Sequence, residues 1–382
     1  MRKVRLIALC VAMVAMLAAC GGEGEKQAEE KAEAPASKLV LGVAGAHSGD
    51  LASYGLPTVN AAKLAAAKVN AEGGINGAMV EVVAQDDQCK PELATNAATK
   101  MVSDDVKIVL GHICSGATKA ALPIYLESEI VLMSPSATNP PLTQSGDYPN
   151  FFRTIAPDDA QAALEVSFAK GLGLKKIAVI HDKGDYGKGF ASFCKQFIDE
   201  QDGIEVVLFE GVTPGAVDYS AVVQKIKSSG AEGVIFGGYH PEASKIVTGM
   251  RKKGMELPFL SDDGVKDETF IKVAGKYAEG VYATGPKDFS GNAIYQDAVA
   301  AHKAEFGADP GPFFPEAYSA ALALLNAVKN AGSTDYAKVT EALRTQYVDT
   351  AVGKIKFDAK GDAEGVGFAV YQVQNGQYVE VK

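Results

Sequence analysis

Cysteine, histidine and hydroxyl side chains come together in residues 111–118, GHICSGAT, directly after the apolar run VKIVL at 106–110. A β-branched run of this kind is typical of a buried strand, so the polar residues follow the point where a strand ends. Three interpretations are open. The segment could be a plain turn, it could hold a reactive thiol or hydroxyl beside His112, or it could be a binding loop in which Cys114 is locked in a disulfide.

Similar polar segments follow the other predicted strands. They are GAHSGD (45–50), DDQC (86–89), SPSATNP (134–140), HDKGDYG (181–187), GGYHPE (237–242) and SDDGV (261–265). As a group they are rich in hydroxyl groups and aromatic rings, carry several carboxylates and are poor in arginine. This composition favours a small zwitterion as the ligand over a phosphate.

Catalytic and metal-binding signatures are missing from the sequence. There is no G-x-S-x-G, P-loop or H-E-x-x-H motif, and no G-x-G-x-x-G after the first strand. Cys114 and His112 share a face only if their strand stays regular to its very end. His47, His112 and His181 also follow strands, but they lack the close spacing of zinc ligands. We therefore predict that the protein is not an enzyme and holds no cofactor or metal.

Short apolar strands alternate with helical patterns along most of the chain. Such alternation predicts parallel sheets covered by helices on both faces, and the units are too many for one sheet. We predict an α/β fold of two doubly wound, Rossmann-like lobes, with the ligand in a cleft at the carboxyl ends of the strands. The predicted strands are 38–46, 78–87, 106–112, 130–136, 175–182, 204–211, 231–238, 258–263 and 280–286, followed by a hairpin over 367–381.

Proline and polar residues interrupt this pattern near 151–159 and near 285–291, where we expect the chain to cross between lobes. The predicted domains are an N-terminal lobe of 38–156 plus 287–365 and a C-terminal lobe of 157–286 plus 366–382.

The N-terminus predicts a secreted lipoprotein. Three basic residues precede an apolar run at 6–17, and the small residues that follow end in Cys20. This is the order of a signal peptide, and the run is short for a membrane span. The ending resembles the bacterial lipobox, which implies a signal peptide of residues 1–19 and lipidation of Cys20; an ordinary signal peptide is the alternative. Residues 20–37 lack aromatic and β-branched side chains and are expected to form a flexible linker.

The net charge restricts the class of partner, and the cysteine content predicts how the cysteines are used. The formal charge of −10 becomes −13 without the three basic residues of the signal peptide, which argues against nucleic acid. Cys10 would leave with that peptide and Cys20 would take the lipid. Cys89, Cys114 and Cys194 remain in an oxidising compartment, where one disulfide and one free thiol are expected.

In order and spacing, the strand ends resemble those of the leucine/isoleucine/valine-binding proteins of bacterial ABC importers, which are type I periplasmic binding proteins. The blocks that carry the resemblance are GGIN (73–76), DDQCKP (86–91), GHICSGAT, SPSATNP, FFRT (151–154), HDKGDYG and GGYHPEA (237–243). It implies a monomer that closes on one amino acid, delivers it to a permease and its ATPase subunits, and is lipid-anchored on the periplasmic or cell-surface side of a membrane. The alternative is a ligand-sensing receptor of the same fold for an amide or another small polar molecule.

The resemblance also implies which residues meet the ligand carboxylate. Ser115 and Thr138 would donate hydroxyl groups, while the backbones of Ile113 and Ala137 line the floor of the site. The alternative is that Ser115 and Thr138 only cap the helices that follow them.

On the C-terminal lobe, Tyr239 and Asp263 would receive the ligand ammonium. The family has a glutamate where Asp263 aligns, so the shorter side chain reaches less far. Asp262 is a competing candidate, and Asp263 could instead be a turn residue before Gly264.

Tyr54, Tyr186 and Phe313 would form the walls around the ligand side chain. The family has a tryptophan at the position of Tyr54 and a tyrosine that closes over the ligand at Tyr186, whereas Phe313 could also be a core residue. His240 is expected to be a solvent-exposed histidine at the mouth of the cleft.

Cys89 and Cys114 follow strands that should be neighbours, and the family has a disulfide at the matching positions. Cys194 is then the free thiol, buried in a helix.

Overall fold

The computed structural model describes residues 38–382. The predicted signal peptide, the lipidation site at Cys20 and the linker lie outside the described residues. Within residues 38–382, no helix combines the length and the apolar character that crossing a membrane would require.

Strands and helices alternate along this range. The strands are β1 (Lys38–Gly45), β2 (Met79–Asp86), β3 (Ile108–Leu110), β4 (Val131–Ser134), β5 (Phe151–Arg153), β6 (Lys176–His181), β7 (Glu205–Gly211), β8 (Gly233–Gly237), β9 (Phe259–Ser261), β10 (Tyr282–Pro286), β11 (Val348–Thr350), β12 (Gly353–Ile355), β13 (Phe368–Gln374) and β14 (Gln377–Glu380). The helices are α1 (Ala52–Ala71), α2 (Pro91–Ser103), α3 (Ser115–Glu127), α4 (Pro141–Gln144), α5 (Asp158–Gly171), α6 (Asp185–Asp199), α7 (Ser220–Ser229), α8 (His240–Lys252), α9 (Glu268–Ala274), α10 (Ala293–Phe306), α11 (Phe314–Ala331) and α12 (Tyr336–Thr345), with 3₁₀ turns at Asp263–Val265 and Gly275–Ala278.

Two parallel sheets dominate the fold. The first sheet has the strand order β2-β1-β3-β4-β5, and the second has the order β7-β6-β8-β9. Every pairing within these two sheets is parallel. In each sheet, the second strand along the chain lies on one side of the first strand and the third strand lies on the other side. Doubly wound folds bind ligands at this point, where the strand order reverses. The predicted α/β fold with doubly wound parallel sheets is therefore confirmed.

The strands are apolar on both faces because helices cover both sides of each sheet. In β6, Ile177 and Val179 pack in a cluster with α5 and α6, whereas Ala178 and Ile180 pack in a cluster with α7 and α8. In the first sheet, α1 and α11 cover one face and α2 and α3 the other. This double cover is why the strands read as continuous apolar runs in the sequence.

A third sheet is antiparallel, which differs from the prediction for residues 280–286. β10 pairs with β13, and β13 pairs with β14, so β10 does not extend a parallel sheet. The predicted hairpin is present, and Asn375 and Gly376 both have positive φ angles, of 52° and 75°, as a type I′ turn requires.

The interruption near 151–159 is also shorter than predicted. Phe151 and Phe152 are fully buried and form most of β5, the edge strand of the first sheet, before Asp158 begins α5. The strand was not predicted from the sequence around FFRT, because the strand is only three residues long and ends in an arginine.

Candidate ligand-binding site

A cavity lies where loops from the carboxyl ends of the two parallel sheets face each other. It is narrow: the space that can hold a water-sized sphere is about 10 Å³. Its lining residues are Tyr54, Ile113, Cys114, Ser136, Tyr186, Tyr239, Asp263, Gly264 and Phe313. We call it the aromatic cavity. It brings together six of the predicted ligand residues, whereas Ser115, Ala137 and Thr138 are buried beside it without lining it. Ser136 is a lining residue that the sequence analysis missed.

Buried polar contacts hold the GHICSGAT loop on its inner side. His112 Nδ1 lies 2.5 Å from Asp87 Oδ2, His112 Nε2 lies 3.1 Å from the Tyr125 hydroxyl, and the side chains of His112 and Asp87 are completely buried. The hydroxyls of Ser134 and Thr118 both donate to the carbonyl of His112, at 2.6 and 3.2 Å. Both ring nitrogens of His112 therefore have partners within the protein, and the residue stabilises the loop.

A disulfide joins Cys89 to Cys114, with a Cα–Cα distance of 5.5 Å, as the resemblance implied. Asp87 supports this link as well, because its Oδ1 accepts a hydrogen bond of 2.7 Å from the Cys89 amide. Cys194 is a buried free thiol, and burial raises its pKa well above the ordinary value. Of the three interpretations of the loop, the reactive thiol is therefore wrong for Cys114.

Replacing Cys89 and Cys114 together with serine is expected to lower the free energy of unfolding by about 3.5 kcal/mol, the chain-entropy estimate for a loop of 25 residues. Ligand affinity should change less than threefold, since neither sulfur donates to the ligand. Urea unfolding and calorimetry measure the two effects. A reductant should destabilise the wild-type protein and leave the double variant unchanged. Loss of affinity with unchanged stability would mean that Cys114 has a direct role.

The hydroxyl groups near the first sheet do not cap helices. Ser115 is the first residue of α3, which has no side-chain cap, and its Oγ accepts a hydrogen bond of 3.2 Å from the Asn139 amide. Thr138 is completely buried, and among residues 38–382 its hydroxyl makes no hydrogen bond of standard geometry, while the buried carboxyl of Asp158 is its nearby acceptor group. Because a buried polar group without a partner is costly, Thr138 is a candidate for a ligand contact. The capping interpretation is wrong for both residues.

Arg153 fixes the loop that carries Thr138, and the sequence analysis did not identify it. The guanidinium is completely buried. Nη1 donates to the carbonyls of Ala137 and Asn139 at 3.2 and 3.0 Å, and Nη2 donates to the Thr143 hydroxyl at 2.6 Å. Nε donates to Asp362 Oδ1 at 2.6 Å. The only signal in the sequence was an arginine at the end of an apolar segment.

Asp263 presents a carboxylate from the second sheet. Its side chain is almost fully buried; Oδ1 accepts a hydrogen bond from the Tyr186 hydroxyl, while Oδ2 has no partner within the described part of the chain. Burial is the main cause that raises the pKa of Asp263 to about 6. Asp262 also has one bonded oxygen, which accepts a hydrogen bond of 2.8 Å from the Gly238 amide, and one buried oxygen without a partner in the described residues, but it is the weaker candidate because it does not line the aromatic cavity.

Asp158 and Gln161, at the start of α5, support Asp263 and were not identified from the sequence. With its amide oriented to satisfy its neighbours, Gln161 accepts a hydrogen bond from the Asp263 backbone amide and donates one to Asp158 Oδ1, both at 2.9 Å. Asp158 is completely buried, and burial raises its pKa well above the ordinary range. Gln161 therefore fixes the backbone from which the Asp263 carboxylate projects.

Aromatic rings form the walls of the aromatic cavity. The ring of Tyr54 lies 5.9 Å from Phe313 and 6.1 Å from Tyr239, and Tyr239 lies 5.1 Å from Tyr186, measured between ring centroids. The Tyr54 hydroxyl donates to the Gly264 carbonyl at 2.6 Å and lies 2.8 Å from His240 Nδ1. These contacts join α1, beside the first sheet, to loops of the second.

His240 is buried, with 3 % of its surface exposed, so the prediction of a solvent-exposed histidine is wrong. Its ring packs against Tyr54 at 5.5 Å, and Asp267 Oδ2 lies 3.7 Å from Nδ1. Since the Tyr54 proton goes to Gly264, His240 must donate from Nδ1 to the Tyr54 oxygen.

Asp185 links the two sheets on the outer side of the cavity. Its carboxylate pairs with Lys119 of α3 at 2.8 Å, and its carbonyl accepts a hydrogen bond from the Asn139 side chain. Among residues 38–382, no group of three or more His, Cys, Asp or Glu side chains could hold a metal ion.

Two doubly wound parallel sheets, with a cavity between their strand ends lined from both sides, are the architecture of a type I periplasmic binding protein. The comparison with known families agrees, because the sequence profile of the periplasmic binding protein family matches residues 38–377. The chain belongs to this family, and membership implies an extracytoplasmic location.

Named relatives and solved structures are similar over most of the chain. The Leucine-, isoleucine-, valine-, threonine-, and alanine-binding protein of Pseudomonas aeruginosa is 37% identical, over 88% of this chain and 90% of its own length. The Leu/Ile/Val-binding protein of Escherichia coli is 35% identical, over 91% and 94%. The leucine binding protein LivK of Thermotoga maritima has a TM-score of 0.83 at 26% identity, covering 90% of this chain and 98% of its own. LivJ of Streptococcus pneumoniae in complex with isoleucine has a TM-score of 0.79 at 28% identity, covering 90% and 100%.

Proposed function

We propose that this protein is the solute-binding component of an ABC importer and captures an aliphatic amino acid of the branched-chain type. The observation that carries the proposal is the pair of buried polar atoms that make no hydrogen bond of standard geometry within residues 38–382: the Thr138 hydroxyl near the first sheet and Asp263 Oδ2 near the second. A zwitterion needs a donor for its carboxylate and an acceptor for its ammonium, and desolvating either charge without a partner is costly. The relatives from Pseudomonas aeruginosa and Escherichia coli are both named as binding proteins for leucine, isoleucine and valine, which supports the same ligand class.

In the proposed mechanism, the ligand carboxylate binds first to the hydroxyls of Ser115 and Thr138 and to the backbone near Ile113 and Ala137. The loops of the second sheet then close on the ammonium with Asp263 and on the side chain with the aromatic rings. Closure is a population shift that ligand binding favours, and the closed form docks on the permease. The two lobes that move are proposed to be residues 38–156 plus 287–365 and residues 157–286 plus 366–382.

The anchor is a further part of the proposal. We infer cleavage after residue 19 and lipidation of Cys20, with residues 20–37 as the tether that leaves a monomeric binding protein free to reach its permease. The order of basic, apolar and small residues before Cys20 supports this arrangement. Mass spectrometry of the mature N-terminus tests it: an unmodified cysteine, or cleavage elsewhere, would contradict the anchor and leave the binding function intact.

Isothermal titration calorimetry against the twenty amino acids tests the binding function. Leucine, isoleucine or valine should bind in a one-to-one complex. If the folded protein binds no amino acid, the proposal fails. Binding of an amide in place of every amino acid would favour the alternative, a sensing receptor of the same fold.

Tyr54→Phe is expected to weaken amino acid binding about five- to tenfold. The change removes the hydrogen bond to Gly264 and leaves His240 without its partner, so the closed arrangement loses about 1–1.5 kcal/mol. Calorimetry measures the affinity. Tyr347→Phe is the matched control, because the Tyr347 hydroxyl bonds to Glu364 on the surface. Equal affinity of the Tyr54 variant and the wild type would exclude these contacts from closure.

A further inference from the structure

Asn139, in the loop after β4, bonds to both sides of the site. Its backbone is fixed on the side of the first sheet: the N–H donates to Ser115 Oγ at 3.2 Å, and the carbonyl accepts a hydrogen bond of 3.0 Å from Arg153 Nη1. Its side chain points the other way, and Nδ2 donates to the backbone carbonyl of Asp185, the first residue of α6. Asn139 is therefore bonded both to a proposed donor for the ligand carboxylate and to a helix that covers the second sheet.

Asp185 and Tyr186, the first two residues of α6, continue this connection to Asp263. The Tyr186 hydroxyl donates to Asp263 Oδ1. The Asp185 carboxylate pairs at 2.8 Å with Lys119, which lies one helical turn after Ser115 in α3. A continuous series of contacts thus runs from the hydroxyl proposed for the ligand carboxylate to the carboxylate proposed for the ligand ammonium.

The close approach of Asn139 to α6 depends on Gly189. A Cβ at this position would overlap Asn139 Nδ2, so a larger residue would displace the amide from the Asp185 carbonyl. Gly189 lies inside α6 and does not have a positive φ angle, so the helix alone would favour alanine there. The contact with Asn139 accounts for a glycine at this place.

We propose that Asn139 is a positioning residue that couples binding of the ligand carboxylate to closure of the second lobe, an inference that rests on the function proposed above. Ser115 Oγ accepts the Asn139 N–H, which leaves its hydroxyl proton available to the ligand carboxylate. Donating that proton makes the oxygen a better acceptor, because neighbouring hydrogen bonds polarise one another. Ligand binding at Ser115 therefore strengthens the bond that holds Asn139, whose side chain holds Asp185 once the lobes have closed. Because opening must break this contact, Asn139 acts mainly on the rate of ligand release.

Gly189→Ala separates this role from a purely structural one. The added methyl group should keep the melting temperature of the free protein at or above that of the wild type, because alanine favours the helix, and yet weaken amino acid binding at least fivefold. Asn139→Ala should weaken binding to a similar extent. Adding Gly189→Ala to Asn139→Ala should cost no further affinity, since both changes remove the same contact. Calorimetry with leucine, isoleucine and valine measures the affinity, and stopped-flow displacement should show that faster dissociation accounts for most of the loss.

Matched controls leave the affinity unchanged. Gly171→Ala makes the same change in α5, where a Cβ would meet open space, and Asn330→Ala removes an exposed asparagine of α11 that bonds to Gln346. If Gly189→Ala binds as tightly as the wild type, or if its effect adds to that of Asn139→Ala in the double variant, the inference is overturned and the proposed function stands. If the wild-type protein binds none of the three amino acids, the proposed function and this inference fail together.

Discussion

Asp263→Asn is expected to weaken amino acid binding by roughly 100-fold, which corresponds to about 3 kcal/mol. The carboxylate is buried and one of its oxygens has no partner in residues 38–382, so a bound ammonium would be its counter-ion. Removing one member of a buried charge pair costs about 2–5 kcal/mol, because the other charge is left desolvated. Calorimetry with leucine, isoleucine and valine measures the loss.

Two further variants make this result specific. Asp288→Asn changes an exposed aspartate whose carboxylate bonds to Ser290, and should leave the affinity within twofold of the wild type. Asp263→Glu keeps the negative charge and should retain tight binding. If Asp263→Asn binds as well as the wild type, the ammonium lies elsewhere.

The affinity should also fall at low pH, because the ammonium binds the ionised form of Asp263. Burial raises the pKa of this carboxyl to about 6, so affinity should be full above about pH 7 and decline as the pH falls through 6, by at most about tenfold per pH unit. Asp158, Asp262 and Lys266 also influence these charges, and Asp263→Asn identifies the contribution of Asp263 because it should flatten the profile. The stability of the free protein should respond in the opposite sense. An acid whose folded pKa exceeds its unfolded pKa of about 3.8 favours folding more as the pH falls from 6 to 4.

The fold could be predicted because its signal is local. The inner strands of the parallel sheets are covered on both faces, so a continuous apolar run such as 177–180 identifies a strand without knowledge of its neighbours. The ligand cavity could be located for a related reason. In doubly wound sheets, sites form where strands end, and the polar segments after β3, β8 and β9 do meet at the aromatic cavity.

The remaining site features depend on contacts between distant parts of the chain. The burial of His240 follows from its contact with Tyr54, which lies 186 residues earlier. Arg153 finds its carboxylate partner 209 residues later, at Asp362. Neither pairing leaves a periodic pattern in the sequence, so an arginine beside an apolar segment and a histidine at a strand end were ambiguous there.

Buried charges hold both loops that present the proposed carboxylate donors. Asp87 fixes the loop after β3 through His112 and Cys89, while Arg153 fixes the loop after β4 through the carbonyls of Ala137 and Asn139. Because these bonds are made within the chain and do not involve a ligand, the hydroxyls of Ser115 and Thr138 do not have to be ordered by one. Such preorganisation lowers the entropic cost of binding.

Arg153→Met is expected to lower the free energy of unfolding by about 3–5 kcal/mol, the usual cost of removing one member of a buried ion pair. Methionine fills a similar volume but cannot donate to Asp362 or to the two loop carbonyls. The loop that carries Thr138 then loses its anchor, so amino acid affinity should fall as well. Urea unfolding followed by circular dichroism measures stability, and calorimetry measures affinity.

The matched control is Arg344→Met, because this partly exposed arginine donates one hydrogen bond, to the Pro149 carbonyl, and should cost about 1 kcal/mol. Arg153→Lys should not restore stability, since an ammonium cannot reach four acceptors in one plane. Combining Arg153→Met with Asp362→Leu should recover part of the loss, because the unpaired carboxylate is removed too. If Arg153→Met unfolds at the wild-type urea concentration, the buried ion pair does not stabilise this loop, and the order in the Ala137–Asn139 segment must come from the hydrogen bonds of Ser134 and Ser136.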